Sequence, residues 1–142
     1  HTGPRQDPAF VASSIAKQFA EIKSKRSTRL KLGNIETRRD FTDVRDVVRA
    51  YWRICGEKKE HTVFNISSGN ILSGNEIVKM LEEITGTHPE LEVDSSRLRK
   101  SDFDFLAGRS DRLRSTFGWK PEIPFESTLR DLYEYHLNGM SS

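Results

Sequence analysis

The chain has 142 residues, which is about one domain at the usual ~100–150 residues and enough to bury a core unaided. Its 23 basic and 21 acidic residues leave a formal charge of +2, which argues against the strongly basic domain of a dedicated nucleic-acid binder. No apolar run approaches the ~20 residues of a bilayer span, and the single cysteine, Cys55, excludes an internal disulfide.

A lone cysteine fits a reducing compartment, and no signal-peptide pattern is present. Without one, the sequon Asn65-Ile66-Ser67 reads as chance. The chain opens HTGPRQD with no methionine, which reads like the interior of a longer protein.

Asp7-Pro8 is a favourable helix start, because Asp7 can accept from free amides and Pro8 has none to leave unpaired. Val11, Ile15, Phe19 and Ile22 then recur at helical spacing, with the basic run Lys23–Arg26 at the far end. Thr28–Leu32 predicts a short strand ended by Gly33-Asn34. A second helix is expected over Asp43–Cys55, with Val44, Val47, Val48, Tyr51, Trp52 and Cys55 on one side, the cysteine as packing. Thr62–Ile66 is β-branched and aromatic, so a buried strand is expected there.

The third helix carries the clearest signals. Ser73 and Glu76 form a capping box, Leu72 and Ile77 a hydrophobic staple, and Gly86 a stop. Leu91–Val93 predicts a strand, Ser110–Phe117 a short helix stopped by Gly118, and Pro124 onward a last helix. That last helix carries Phe125, Leu129, Leu132, Tyr133 and His136 on one face. The sum is a helix-rich α/β chain of about five helices and three or four short strands, in a single unit over residues 1–142.

Most catalytic patterns are missing. No two glycines are two apart, so there is no G-x-G-x-x-G fingerprint. Gly69 and Gly74 have P-loop spacing, but Asn75-Glu76 follows where Lys-Ser/Thr is required. His1, His61, His88 and His136 lie too far apart for helical metal-ligand spacing, so no zinc site is expected. Tyr51, Tyr133 and Tyr135 are followed at Tyr-x-x-x-Lys spacing by Cys55, Leu137 and Gly139. No complete catalytic set remains. Two arginine clusters do: Arg38-Arg39-Asp40, between a strand end and a helix start, and Arg97, Arg99 and Lys100 before Asp102. Guanidinium forks suit phosphate oxygens, although spacing alone fits solvated surface charge as well.

The segments HTGPRQDPAFV, LGNIETRRDFTDVRDVVRAYW, VFNISSG, RLRKSDFDFLAGRSDRLRSTFGWKP and IPFESTLRDLYEYH follow one another in this order. In that order they resemble the extended short-chain dehydrogenase/reductases that modify nucleotide sugars, over almost the whole chain. The resemblance implies the C-terminal substrate-binding part of such an enzyme. The amino-terminal Rossmann domain, with its glycine fingerprint, Ser/Thr and Tyr-x-x-x-Lys, would lie upstream of His1. No catalytic residue is therefore expected in this chain, and alone it should be inactive.

The implied activity of the parent is NAD(P)H-dependent reduction of GDP-4-dehydro-6-deoxy-D-mannose to GDP-D-rhamnose. The opening H-T-G-P-R-Q, rather than H-E-S-P-R-R, and R-R-D-F, rather than K-R-D-W, favour it over GDP-mannose 4,6-dehydration. A binding module without catalysis is the remaining alternative. By the same resemblance His1, Arg5 and Gln6 approach NADP or NAD, and Leu32-Gly33-Asn34 line the guanine pocket. Arg39, Arg99 and Asp102 hold the diphosphate region, while Arg38 and Arg97 are structural or solvated. Val63–Ile66 would be an edge strand of the absent sheet. The implied partner is a GDP-sugar, with no nucleic acid and no membrane, in a cytoplasmic parent that forms a homo-oligomer.

Overall fold

The computed structural model describes residues 1–56, 63–97 and 103–140, and the fold is mixed α/β. In chain order the elements are α1 (Val11–Lys23), β1 (Arg29–Leu32), β2 (Arg38–Asp40), α2 (Val44–Gly56), β3 (Ile71–Ser73), α3 (Gly74–Thr85), β4 (Glu90–Val93), β5 (Phe105–Leu106), α4 (Asp111–Phe117) and α5 (Phe125–Asn138). A 3₁₀ turn, Ser95–Arg97, follows β4.

The apolar stripe of α1 does what its spacing implies. Ile15, Ala16 and Phe19 are buried against Leu129 and Leu132 of α5, Ile77 and Leu81 of α3, and Leu30 of β1. Phe41 and Phe125 close one end of this core with ring centroids 5.2 Å apart. A smaller core joins Ala50 of α2, Leu113 of α4 and Trp119, flanked by Ile54, Phe64, Ile66 and Phe117. The Trp119 indole N–H donates to the Asp46 carbonyl at 3.0 Å, so the large ring is buried with its polar atom paired.

Two small sheets frame these cores. β1 pairs in parallel with β4, from Arg29 opposite Glu90 to Leu32 opposite Val93. β2 is central in the other sheet, antiparallel to β3 and parallel to β5.

The third helix forms as its sequence predicts. The Ser73 hydroxyl accepts from the Glu76 amide, the Glu76 carboxylate accepts from the Ser73 amide at 2.7 Å, and Gly86 ends the helix at φ 63°. Gly74 matters for approach rather than for φ. A Cβ there would stand 2.6 Å from the Ile35 side chain, so only glycine lets the loop after β1 lie against the start of α3.

Four expectations need correction. α1 begins at Val11, not at Asp7-Pro8. The Asp7 carboxylate instead accepts from the Ala9 amide at 2.7 Å, which makes a local turn that competes with the helix. Val63–Ile66 is not a strand, and Val63 is exposed; Thr62 lies outside the described residues. The stripe Val48, Tyr51, Trp52 and Cys55 faces outward, with Trp52 80% exposed.

The inward face of α2 is Asp46, Val47, Ala50 and Ile54. Asp46 decides this. Its carboxylate accepts from the Glu122 and Ile123 amides at 3.1 and 3.2 Å and pairs with Arg49 at 2.7 Å, which holds that side of the helix against the chain that follows Trp119. Lastly, β2, β3 and β5 are strands that the alternation of side chains does not reveal.

Removing the Phe19 ring from the centre of the main core should cost ~3–5 kcal/mol. In the 142-residue chain Trp52→Ala should change stability by less than ~0.5 kcal/mol, since the ring lies outside both cores. Urea unfolding of the two variants checks both; similar losses would mean the α2 face is assigned wrongly.

Candidate functional site

A cavity of about 560 Å³ lies between α1 and the chain leaving β1. One wall is the α1 face carrying Val11, Ser14, Ile15 and Gln18. The other is Leu32, Gly33, Asn34 and Ile35, and Thr37, Arg39 and Ser96 also line it. Four sequence-predicted binding residues, Leu32, Gly33, Asn34 and Arg39, therefore come together in one concave site.

Gln18 sets the spacing of the two walls. It is 8% exposed, and both ends of its amide are used. Its Oε1 accepts from the Lys31 amide at 2.8 Å and its Nε2 donates to the Lys31 carbonyl at 3.1 Å. A side chain thus stands in for a third strand beside β1 and leaves no orphan backbone group there. Sequence reasoning missed Gln18. The signal was an amide on the same helical face as Val11, Ile15 and Ile22, where a polar residue needs a partner.

β2 positions the arginines. Successive strand residues point to opposite sides, so Arg38 and Arg39 diverge. Arg38 reaches Glu76 at 3.0 Å and the Ile71 carbonyl at 3.3 Å, a structural role as expected. Arg39 lines the cavity and donates to the Arg38 and Phe103 carbonyls, each at 2.9 Å. A guanidinium carries five N–H donors, so it can tie down backbone and also face an anion. Arg99 and Asp102, the other two expected diphosphate contacts, precede Phe103 in the sequence. Those two residues lie outside the described residues, as does the Arg97 side chain.

Asp40 anchors this arrangement. Its carboxylate lies 2.8 Å from the Ser67 hydroxyl, 3.1 Å from those of Ser68 and Thr42, and accepts from the Ser68 and Gly69 amides at 3.0 and 2.7 Å. Gly69 takes φ 88°, a backbone shape that suits glycine, and so turns its amide toward Asp40. Burial pushes the Asp40 carboxyl up, but the hydrogen bonds from Ser67, Gly69, Ser68 and Thr42 outweigh it and hold the group below the ordinary carboxylate range. The same segment accepts further ties. The Ser110 hydroxyl donates to the Ser67 carbonyl at 2.8 Å, and Arg114 to the Ser68 carbonyl at 3.2 Å.

The amino-terminal turn sits apart from the cavity lining. Thr2 is stitched to the start of α2, its amide donating to the Thr42 carbonyl at 2.8 Å while its carbonyl accepts from the Val44 amide at 2.9 Å. His1 and Arg5 are exposed, and Arg5 takes φ 71°. The Gln6 Nε2 donates to the His1 carbonyl at 2.7 Å, while its Oε1 is buried without a hydrogen-bond partner among the described residues. The Ser13 hydroxyl donates to the Gln6 carbonyl at 2.7 Å and lies 3.0 Å from His136 Nε2, so the turn is fixed relative to α1 and α5. Pro8 and Ala9 then lead from this turn to the cavity.

No group of three or more His, Cys, Asp and Glu among the described residues can hold a metal ion. No helix among them is long and apolar enough to cross a membrane.

A family model described as GDP-mannose 4,6 dehydratase matches residues 1–132. A GDP-6-deoxy-D-mannose reductase from Pseudomonas aeruginosa is 37% identical over 131 residues, covering 92% of this chain and 43% of the relative. GDP-mannose 4,6 dehydratase 1 from Arabidopsis thaliana is 27% identical over 141 residues, covering 96% and 38%. Among solved structures, RMD from Pseudomonas aeruginosa complexed with NADPH superposes with a TM-score of 0.90 at 33% identity, over 98% of this chain and 46% of that one. A UDP-glucose 4-epimerase from Thermotoga maritima, solved with UDP-glucose, gives 0.78 at 28% identity, over 97% and 43%. The chain thus spans less than half the length of these relatives.

The Asp40 carboxyl is depressed in the folded state, so its stabilisation is complete above the ordinary value of 3.8 and is lost as pH falls through its lower folded value. Asp40→Ala should destabilise by at least ~2 kcal/mol, because several donors lose one acceptor. It should also flatten the fall in melting temperature between neutral pH and the acid limb. A series of thermal melts from pH 7 to pH 2 measures both; an unchanged acid slope would remove Asp40 from the account.

Proposed function

Since this chain belongs to the GDP-mannose 4,6 dehydratase family, we propose that it is the nucleotide-sugar-binding part of an NAD(P)H-dependent reductase acting on GDP-4-dehydro-6-deoxy-D-mannose to give GDP-D-rhamnose. The mixed α/β fold is that of the carboxy-terminal part of extended short-chain dehydrogenase/reductases. The observation that carries the reading is the convergence of Leu32, Gly33, Asn34 and Arg39 in one cavity. A guanidinium in the lining suits a diphosphate, and the apolar Leu32 and Ile35 of the same lining suit a flat base. The 37% identity to a GDP-6-deoxy-D-mannose reductase favours reduction over dehydration. Dehydration of GDP-mannose is the second reading, favoured by the family model and by the 27% identical dehydratase.

In this reading Arg39, with Arg99 and Asp102, holds the diphosphate and so positions the hexose; Leu32, Gly33 and Asn34 receive the guanine. His1, Arg5 and Gln6 face the nicotinamide cofactor. The buried Gln6 Oε1 fits such a role, since it is an acceptor in need of a donor such as a carboxamide N–H. The cofactor, when bound, supplies the hydride. No residue of this chain moves a proton in the reaction, so the catalytic groups belong to the rest of a cytoplasmic, homo-oligomeric parent. The role of this chain is to bind and orient the substrate, which raises the chance of productive geometry.

Arg39→Ala in the full-length protein should raise KM for the GDP-sugar by at least about tenfold, as expected for loss of a charge-assisted contact. Steady-state kinetics with circular dichroism as a fold control test this, and an unchanged KM would end the assignment. Analysis of products with each GDP-sugar separates reduction, which consumes a 4-keto sugar, from dehydration, which forms one.

A further inference from the structure

His136 sits half-buried in the last turn of α5 and does not line the cavity. Its Nε2 lies 3.0 Å from the hydroxyl of Ser13, a fully buried residue of α1. That hydroxyl lies 2.7 Å from the Gln6 carbonyl. A hydroxyl has one hydrogen to give, and a carbonyl can only accept. The Ser13 hydrogen therefore goes to Gln6, which leaves only lone pairs toward His136. The imidazole must then donate from Nε2. Burial and the Lys17 ammonium hold the His136 pKa below its ordinary value, against the pull of Glu21, so at pH 8 the ring is neutral. Its bare nitrogen is Nδ1. Three parts of the chain thus form a one-way relay, from the His136 N–H to the Ser13 hydroxyl to the Gln6 carbonyl.

The turn at the end of this relay needs holding. Arg5 takes φ 71°, a left-handed shape that arginine disfavours and that persists only where its surroundings impose it. Two ties lie within the turn: the Gln6 amide donates to the Gly3 carbonyl at 3.1 Å, and Gln6 Nε2 donates to the His1 carbonyl at 2.7 Å. Thr2 fastens the start of the turn to the start of α2. Ser13 fastens its other end to the helices. The same Gln6 carries the buried Oε1 that has no hydrogen-bond partner among the described residues. The direction of that acceptor follows from the backbone of Gln6, and Ser13 grips this backbone by its carbonyl.

We infer that His136 and Ser13 are positioning residues for the nicotinamide cofactor: the imidazole commits the Ser13 hydroxyl to the Gln6 carbonyl, and the fixed backbone holds the Gln6 acceptor ready for a carboxamide N–H. Neither residue touches the cofactor. Both act through Gln6, so a group at the far end of α5 governs how tightly the amino-terminal turn receives its ligand. This rests on the cofactor-facing reading of Gln6 given above and adds to it the groups that keep Gln6 in place.

Two measurements on the full-length protein test this. Nitrogen NMR of the histidine-labelled wild type at pH 8 should find the His136 hydrogen on Nε2 and none on Nδ1. A hydrogen on Nδ1 alone overturns the relay without recourse to any variant. The second measurement is titration calorimetry with NADPH, or with NADH if the wild type binds it more tightly. Ser13→Ala and His136→Leu should each weaken the cofactor by about tenfold, while GDP binds within about twofold of wild type. The double variant should be no weaker than either single one, because both break the same relay. His136→Gln, whose amide N–H replaces the imidazole donor, should bind the cofactor within about threefold of wild type. A contact that merely supports the helices would weaken GDP and cofactor together and would show no such rescue. Melting temperatures serve as the fold control. If Ser13→Ala and His136→Leu bind the cofactor as the wild type does while Gln6→Leu loses about tenfold, the relay is overturned and the cofactor-facing reading stands. If Gln6→Leu is also unaffected, or the wild type binds neither cofactor, both readings fall together.

Discussion

The carboxylate of Asp40 holds together the parts of the chain on which the site depends. It gathers donors from Thr42, from the Ser67 and Ser68 hydroxyls and from the Ser68 and Gly69 amides. Ser67, Ser68 and Gly69 belong to a loop that also receives Ser110, just before α4, and Arg114 of α4. One charged group thus joins β2, the loop before β3 and the smaller core. A carboxylate is suited to this, since it only accepts and can serve several N–H and O–H groups at once. Arg39 is the residue immediately before it. Its direction into the cavity follows from strand alternation and from the anchoring of its neighbour.

The cavity is built by a different principle. Its two walls belong to elements of different kinds, a helix and the end of a strand, which cannot share a hydrogen-bond ladder. Gln18 bridges them by giving the strand the donor and acceptor that a neighbouring strand would have given. Gly74 completes the arrangement by letting Ile35 approach the start of α3. The walls are thereby held at a fixed separation before any ligand arrives, which lowers the ordering cost of binding. The residues left to face a ligand are then few and of distinct chemistry.

How much of this the sequence discloses depends on how local the cause is. The start and end of α3 are legible because the Ser73–Glu76 capping box and the left-handed Gly86 are set within one turn of chain. The inward stripes of α1 and α5 are legible because the main core follows their apolar spacing. α2 is legible as a helix and misleading as a face. Its richest apolar stripe points outward because Asp46 is tied to amides 76 and 77 residues away, which no local pattern reports. The strands β2, β3 and β5 have two or three residues each and owe their form to their partners. In the site, resemblance locates Leu32–Asn34 and Arg39, whereas Gln18 follows only from asking where a polar side chain on an apolar stripe finds its partner.

The Gln18–Lys31 contact also gives the molecule a clock. The Lys31 amide is protected by a side chain rather than by a strand, so its hydrogen exchanges only when that amide lets go and the two walls part. Its exchange rate reads the breathing of the cavity at a single backbone position. A molecule that spans both walls slows that rate by holding them closed, and one that lies on the surface elsewhere leaves it unchanged. Occupancy of the cavity is therefore written into the lifetime of one backbone proton.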